Sequence, residues 1–215
     1  MRPAGALLHR AHQLEGDLIS APRARLLAIS LSLLAALLVG ACAGGPPTPD
    51  PSAACNGVDA PAVPGYYPAL ESLLPSTLAQ ATPSVVNSGR FCVAASLGSL
   101  VGAGVSDLHF AGAQFPASDS TGVSLLEYSA PTLTPSMLAD AFTAGAASAT
   151  DVNQIQTQAV TVAGRAGVRI QVNNQDVLQV LIFWPSAQPG TVNGILAAGV
   201  PESAIQTAEQ AFGSR

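Results

Sequence analysis

The sequence predicts an α+β fold, a mostly antiparallel sheet with helices on one face, preceded by a cleaved signal and a proline-rich linker. Three observations carry that expectation. Apolar, β-branched runs come in neighbouring pairs separated by short turn sequences, the pattern of antiparallel hairpins. Helical stretches opened by proline follow these runs, at Thr134-Pro135 and at Pro201, so helices are laid on a sheet and do not alternate with single strands. Ahead of the domain, residues 26–39 form one apolar stretch and residues 43–64 hold six prolines.

The leader comes first. Arg23 and Arg25 precede the apolar run, and Gly40-Ala41 closes it directly before Cys42. A basic n-region, an apolar h-region and small residues at the cut make a secretory signal. The order Val39-Gly40-Ala41-Cys42 resembles a bacterial lipobox, in which the cysteine thiol takes diacylglycerol and becomes the mature N-terminus. Two acyl chains give stable membrane attachment. Residues 1–22 carry Glu15 and Asp17 and exceed what the signal needs, so initiation nearer residue 18 is expected. Two rival readings use the same residues. Counted from Ala24 to Ala43 the apolar span reaches the roughly 20 residues of a retained membrane helix, and a plain cleaved signal is the other.

The expected organisation is therefore a signal peptide over 1–41, a linker over 42–65 and a single domain over 66–215. Proline at the linker's density favours an extended, semi-rigid spacer of about 3 Å per residue. With Cys42 used by the anchor, Cys55 and Cys92 form an even pair in an oxidising compartment and are expected to bridge. Two free thiols are the alternative. The chain has no lysine, and beyond the cut four arginines face eleven carboxylates. So acidic a domain offers no footprint for a phosphate backbone, and no nucleic-acid partner is expected.

Within the domain, Leu70, Leu73, Leu74 and Leu78 recur at helical spacing, with Pro75 as a break. Phe91–Val101 is expected to be helical too. Val105–Phe115 and Val123–Tyr128 read as a hairpin around PASDSTG. Thr134 caps a helix with Pro135 at its first position, Leu138, Ala141 and Phe142 on its face and Gly145 near its end. A strand-like stretch over 156–163 leads through Gly164-Arg165-Ala166-Gly167 into Val168–Val172, where alternation predicts a strand with one wet face. Val177–Trp184 is almost wholly apolar and is expected to be a central strand covered twice. Thr191–Ala198 is one more strand. Ile205, Ala208 and Phe212 then mark the last helix, with Gly213 as its stop.

LESLLP at 70–75, the hairpin, the capped helix, TVAGRAGVRIQV at 161–172, VLIFW at 180–184 and AEQAF at 208–212 together resemble a broad group of uncharacterised bacterial lipoproteins. The resemblance implies a short tethered α+β domain without a known catalytic site. That group has no established functional residues to carry over.

Chemistry is sparse. His109 is the one histidine beyond Cys42, and Asp107 stands two residues before it. A carboxylate that orients an imidazole is part of many hydrolytic sites, although no GxSxG elbow nominates a serine. Metal-ligand spacing is absent, and neither metal nor cofactor is expected. The glycines at 98, 102 and 104 lack the lysine of a phosphate loop. Asp107, Glu127 and Asp176 are carboxylates that would have to meet in space for glycoside chemistry. Phe183-Trp184, where a strand meets a loop, and Tyr66-Tyr67, after the linker, are the aromatics most open to ligand contact, and a tryptophan that caps the core edge is the other reading of Trp184.

The functional expectation is a lipid-anchored protein on the extracytoplasmic face of a bacterial membrane. Its domain is expected to bind an unknown protein, glycan or lipid partner without catalysis. A small hydrolase using Asp107 and His109, or a lipid carrier with an apolar cavity, are the alternatives.

Overall fold

The computed structural model describes residues 50–118, 121–149, 152–174 and 177–213. The signal, Cys42, the first part of the linker and Asp176 lie outside the described residues. In chain order the elements are β1 (Ala60–Val63), α1 (Pro68–Glu71), β2 (Val85–Phe91), α2 (Ala94–Leu97), a 3₁₀ turn (Gly98–Leu100), β3 (Leu108–Pro116), β4 (Gly122–Ser129) and α3 (Pro135–Ala147). Then follow β5 (Val152–Val162), β6 (Arg165–Asn174), β7 (Val177–Pro185), β8 (Thr191–Ala198) and α4 (Glu202–Gly213). All eight strands among the described residues belong to one sheet, in the order β1-β2-β3-β4-β8-β7-β6-β5. Every pairing is antiparallel. Two meanders of four strands thus meet where β4 pairs with β8.

Local chemistry explains most of these elements. Thr134 is extended and its Oγ1 accepts from the Met137 N–H at 3.3 Å, which caps α3 as Pro135 starts it. Ala163 and Gly164 both have positive φ, 49° and 80°. Val162 pairs directly with Arg165, so this two-residue turn has the twist that suits a tight hairpin. At Gly167 the β6 backbone passes so close to β7 that a Cβ would lie 2.5 Å from the Phe183 carbonyl oxygen. Only glycine fits there.

The helices lie on both faces of the sheet, which corrects the expectation of helices on one face. The reason is in β7. Its even positions Val180, Ile182 and Trp184 enter one core and its odd positions Leu181 and Phe183 enter the other. A strand apolar at every position needs cover on each side. On the first face α4 supplies Ile205, Ala208 and Phe212, and the α1 region supplies Leu70, Leu74 and Leu78. On the second face α3 supplies Leu138 and Ala139, and the α2 region supplies Leu97 and Leu100. Tyr128 belongs to that second face, where burial pushes its phenol up to about 12.

Three further expectations shift. The leucines at 70–78 are buried as expected, but only Pro68–Glu71 is helical, because Pro75 allows no continuation. Phe91 ends a strand and the helix expected over 91–101 shrinks to Ala94–Leu97 plus the 3₁₀ turn, with Gly98 at φ 55°. The end of the proline-rich stretch is itself structured, since Ala60–Val63 is the edge strand β1. Among the described residues no helix is long and apolar enough to cross a membrane.

Candidate functional site

The first face carries a polar row at one end of the sheet. Register places Arg90 of β2 beside His109 of β3, His109 beside Ser129 of β4, and Ser129 beside Thr191 of β8. Residues side by side on adjacent strands share a face and stand roughly 5 Å apart. Asp107 precedes β3 and turns its carboxylate back, with Oδ1 3.4 Å from His109 Nε2 and 3.7 Å from Arg90 Nε. The expected Asp107–His109 pair is therefore assembled. Asp107 reaches the imidazole from the loop before the strand and not from a shared strand face.

Tyr67 lies on this pair. Its ring stacks on His109 with centroids 4.3 Å apart, and Tyr66 meets Tyr67 edge-on at 4.6 Å. The Tyr67 hydroxyl is buried without a well-formed hydrogen bond. Burial first, then the neighbouring Tyr66 and Asp107, push the phenol up to about 12 against the opposing pull of Arg90. The stack is fixed from below. Ser88 Oγ accepts from the Tyr67 N–H at 2.6 Å and donates to Glu71 Oε1 at 2.7 Å, and Glu71 Oε1 also accepts from the Gly65 N–H at 2.7 Å. Side chains on the cluster remain in reach of solvent, His109 at 35% and Asp107 at 40% exposure.

One pleat inward the row changes character. Ala111, Glu127, Asn193 and Trp184 stand in register across β3, β4, β8 and β7. Glu127 and Asn193 are 0% exposed. The hydrogen-bond partners orient the Asn193 amide. Its nitrogen lies 3.1 Å from both Glu127 oxygens and from Ser186 Oγ, and its oxygen accepts from Trp184 Nε1 at 3.2 Å. Burial pushes the Glu127 carboxyl up to about 8. Without a cation in the row, its neutral form is the one the interior favours.

These positions decide what the other sequence candidates do. Trp184 is 0% and Phe183 3% exposed. Neither stands at a loop-facing surface, a correction to their reading as ligand contacts. The indole meets Phe212 edge-on at 5.4 Å, and its N–H is committed to Asn193. Phe183 points to the opposite core, beside Tyr128 at 6.4 Å. Asp107 and Glu127 do not face each other across a solvent space, because Glu127 is sealed under the sheet's cover. Asp176, the third carboxylate, lies outside the described residues, as does Cys42.

Cys55 and Cys92 are disulfide-bonded, with Cα atoms 6.0 Å apart. Around the bridge, Arg90 Nη1 donates to the Ala53 carbonyl at 2.6 Å, and Asp59 Oδ1 accepts from the Cys92 and Val93 N–H groups at 2.7 and 2.9 Å. Ser96 Oγ donates to the other Asp59 oxygen. Burial opposes ionisation of Asp59, but these hydrogen bonds and the Arg90 charge outweigh it and lower its carboxyl below the ordinary value. Residues 50–59 are thus tied to the end of β2 and the residues that follow it, next to the Arg90 end of the polar row.

Arg90, Ser129 and Asn193 carried no signal in the sequence. They come from three strands of both meanders, and only register brings them to His109 and Glu127. Among the described residues no group of three or more His, Cys, Asp or Glu side chains is placed to hold a metal ion. No family profile matches the chain, and neither a curated protein nor a solved structure shows significant similarity to it.

Proposed function

We propose that this chain is a membrane-anchored extracytoplasmic lipoprotein, held by diacylglycerol on Cys42, whose domain is a binding or envelope-interaction module. The observation that carries the reading is the Cys55–Cys92 bridge. It lies just beyond Cys42 in sequence and belongs to an oxidising compartment, which is where a lipobox would deliver the domain. The Tyr67–His109–Asp107 cluster, backed by the buried Arg90 guanidinium, is the surface offered to a partner. It combines a stacked aromatic pair and a carboxylate at one end of the sheet. Fixed side chains of this kind favour recognition with little ordering cost.

Mass spectrometry of the chain recovered from membranes tests the anchor. The expected species begins at an acylated Cys42 and carries a Cys55–Cys92 bridge. An uncut chain with unmodified Cys42 overturns the reading.

A small hydrolase is the second reading, favoured by Ser129 standing opposite His109 while Asp107 contacts the imidazole. Ser129 would be the nucleophile and His109 its base. A fluorophosphonate probe separates the two readings. Labelling that disappears in Ser129→Ala establishes the hydrolase, whereas a wild-type protein left unlabelled supports the binding module.

A further inference from the structure

The two edges of an open sheet are the places where backbone hydrogen-bonding groups lack a strand partner. Here the second edge is β5, eleven residues long, with the sequence VNQIQTQAVTV and, among the described residues, β6 as its neighbour on one side only. It contains no charged residue and no proline. Those are the devices by which most open edges repel another strand. Its one irregularity is a register shift between Val152 and Gln154, at the very start, after which pairing with β6 runs unbroken to Val162. Gln154, Gln156, Thr157, Gln158 and Ala159 are exposed.

We propose that β5 is a self-association edge, pairing antiparallel with β5 of a second copy to join two eight-stranded sheets into one. Backbone chemistry sets the class of occupant, since a row of free N–H and C=O groups is matched only by water or by another extended strand. The side chains favour a second copy. A strand that meets itself usually places like charges opposite each other, and this one has none to place. The domain around it is acidic, with four arginines against eleven carboxylates beyond Cys42, so copies approaching by most other routes repel. Full overlap of the strand on itself puts the two-fold axis at Thr157. Ile155 then faces Ala159 of the second copy, and Gln156 faces its Gln158. Both faces stay matched, because antiparallel pairing about one residue conserves side-chain parity. An isologous contact of this kind closes at two copies and does not grow into a fibre.

The second face supplies one more fit. An open depression of about 230 Å³ lies at the start of β5, lined by Ala146, Ala147, Val152, Gln154 and Ile155. In the two-fold register Ile155, which lines this depression, faces Ala159 of the second copy on the same face, so a small side chain meets the rim of the depression.

The test uses the full chain in membranes and in detergent solution. Thr157→Cys is expected to give a reducible dimer at least tenfold faster than Gln206→Cys, whose position is equally exposed but lies on α4. Thr157→Lys, which sets two ammonium groups face to face at the axis, is expected to weaken dimerisation in light scattering at least tenfold, with the unfolding temperature unchanged at dilutions where both proteins are monomers. Equal cross-linking at both positions overturns the proposal. So does a monomer at every concentration, or a cross-link from Thr157→Cys to a different protein with none to itself.

Discussion

At one edge of the sheet β1 runs for four residues, and its pairing with β2 shifts register between Ala60 and Val63. The strap of residues 50–59 lies beside it, fixed by the Cys55–Cys92 bridge, by Arg90 on the Ala53 carbonyl and by Asp59 on two backbone N–H groups. At the other edge β5 runs for eleven residues with neither charge nor proline and, among the described residues, with β6 as its sole strand neighbour. A short, irregular strand offers another chain little to pair with, whereas a long regular one offers a template. The edge at β1 also adjoins β2, whose Arg90 belongs to the cluster around His109. The open edge lies at the far end of the strand order. The two edges of the described sheet are therefore separated by six intervening strands.

The largest effect on this contrast should come from the bridge. Cys55→Ala with Cys92→Ala is expected to cost about 3–4 kcal/mol, since the cross-link closes a loop of roughly 38 residues. Urea unfolding should show that loss, with β1 amides exchanging before those of β5. A cost under about 1 kcal/mol would mean that the strap's hydrogen bonds alone close this edge.

Next comes Glu127, which belongs to neither edge. Its folded carboxyl titrates at about 8 because of burial, against roughly 4.3 in an unfolded chain. The sign follows directly. Below both values the group is neutral in each state and costs nothing. As pH rises past about 4.3 the unfolded chain ionises first, so stability falls until the folded group ionises near 8. The domain should lose on the order of 2–3 kcal/mol between pH 5 and pH 8, the Asn193 amide offsetting part of the burial cost. Glu127→Gln should flatten that dependence and leave the protein more stable at pH 8. Parallel pH profiles of the two proteins would contradict the assignment.

Asp59→Ala should cost about 1–2 kcal/mol, because two backbone N–H groups and the Ser96 hydroxyl lose their acceptor together. Amide exchange at Cys92 and Val93 reports it locally. The smallest effect belongs to the open edge. Thr157→Lys should leave monomer stability within about 0.5 kcal/mol, as expected of an exposed strand position away from caps and core. A larger loss would mean that Thr157 supports the monomer and does not simply face outward.

Legibility in the sequence followed burial. β7 was readable because both faces of VLQVLIFW are covered, α4 because Ile205, Ala208 and Phe212 recur on one face, and α3 because Thr134 and Pro135 announce its start. β2 was not readable. VVNSGRF alternates Ser88 and Arg90 with Asn87, Gly89 and Phe91, and its polar side chains are buried by hydrogen bonds and an ion pair that reach other segments. The same fact limited the site. Asp107 and His109 were visible as near neighbours in sequence, and Tyr66-Tyr67 as an aromatic pair. Arg90, Ser129, Glu127 and Asn193 join them only through the register of four strands. Trp184 allowed two readings, and Phe212 and Asn193, which enclose it, decide for the core over ligand contact.

The contrast between the edges is tested most directly by backbone amide exchange followed at rising protein concentration, with and without reductant. The account predicts that Gln154–Val160 of β5 gain protection as concentration rises, whatever the redox state. It predicts that β1 is protected at every concentration and loses that protection only when the Cys55–Cys92 bridge is reduced. Protection in β5 that ignores concentration, or in β1 that ignores reductant, would contradict it.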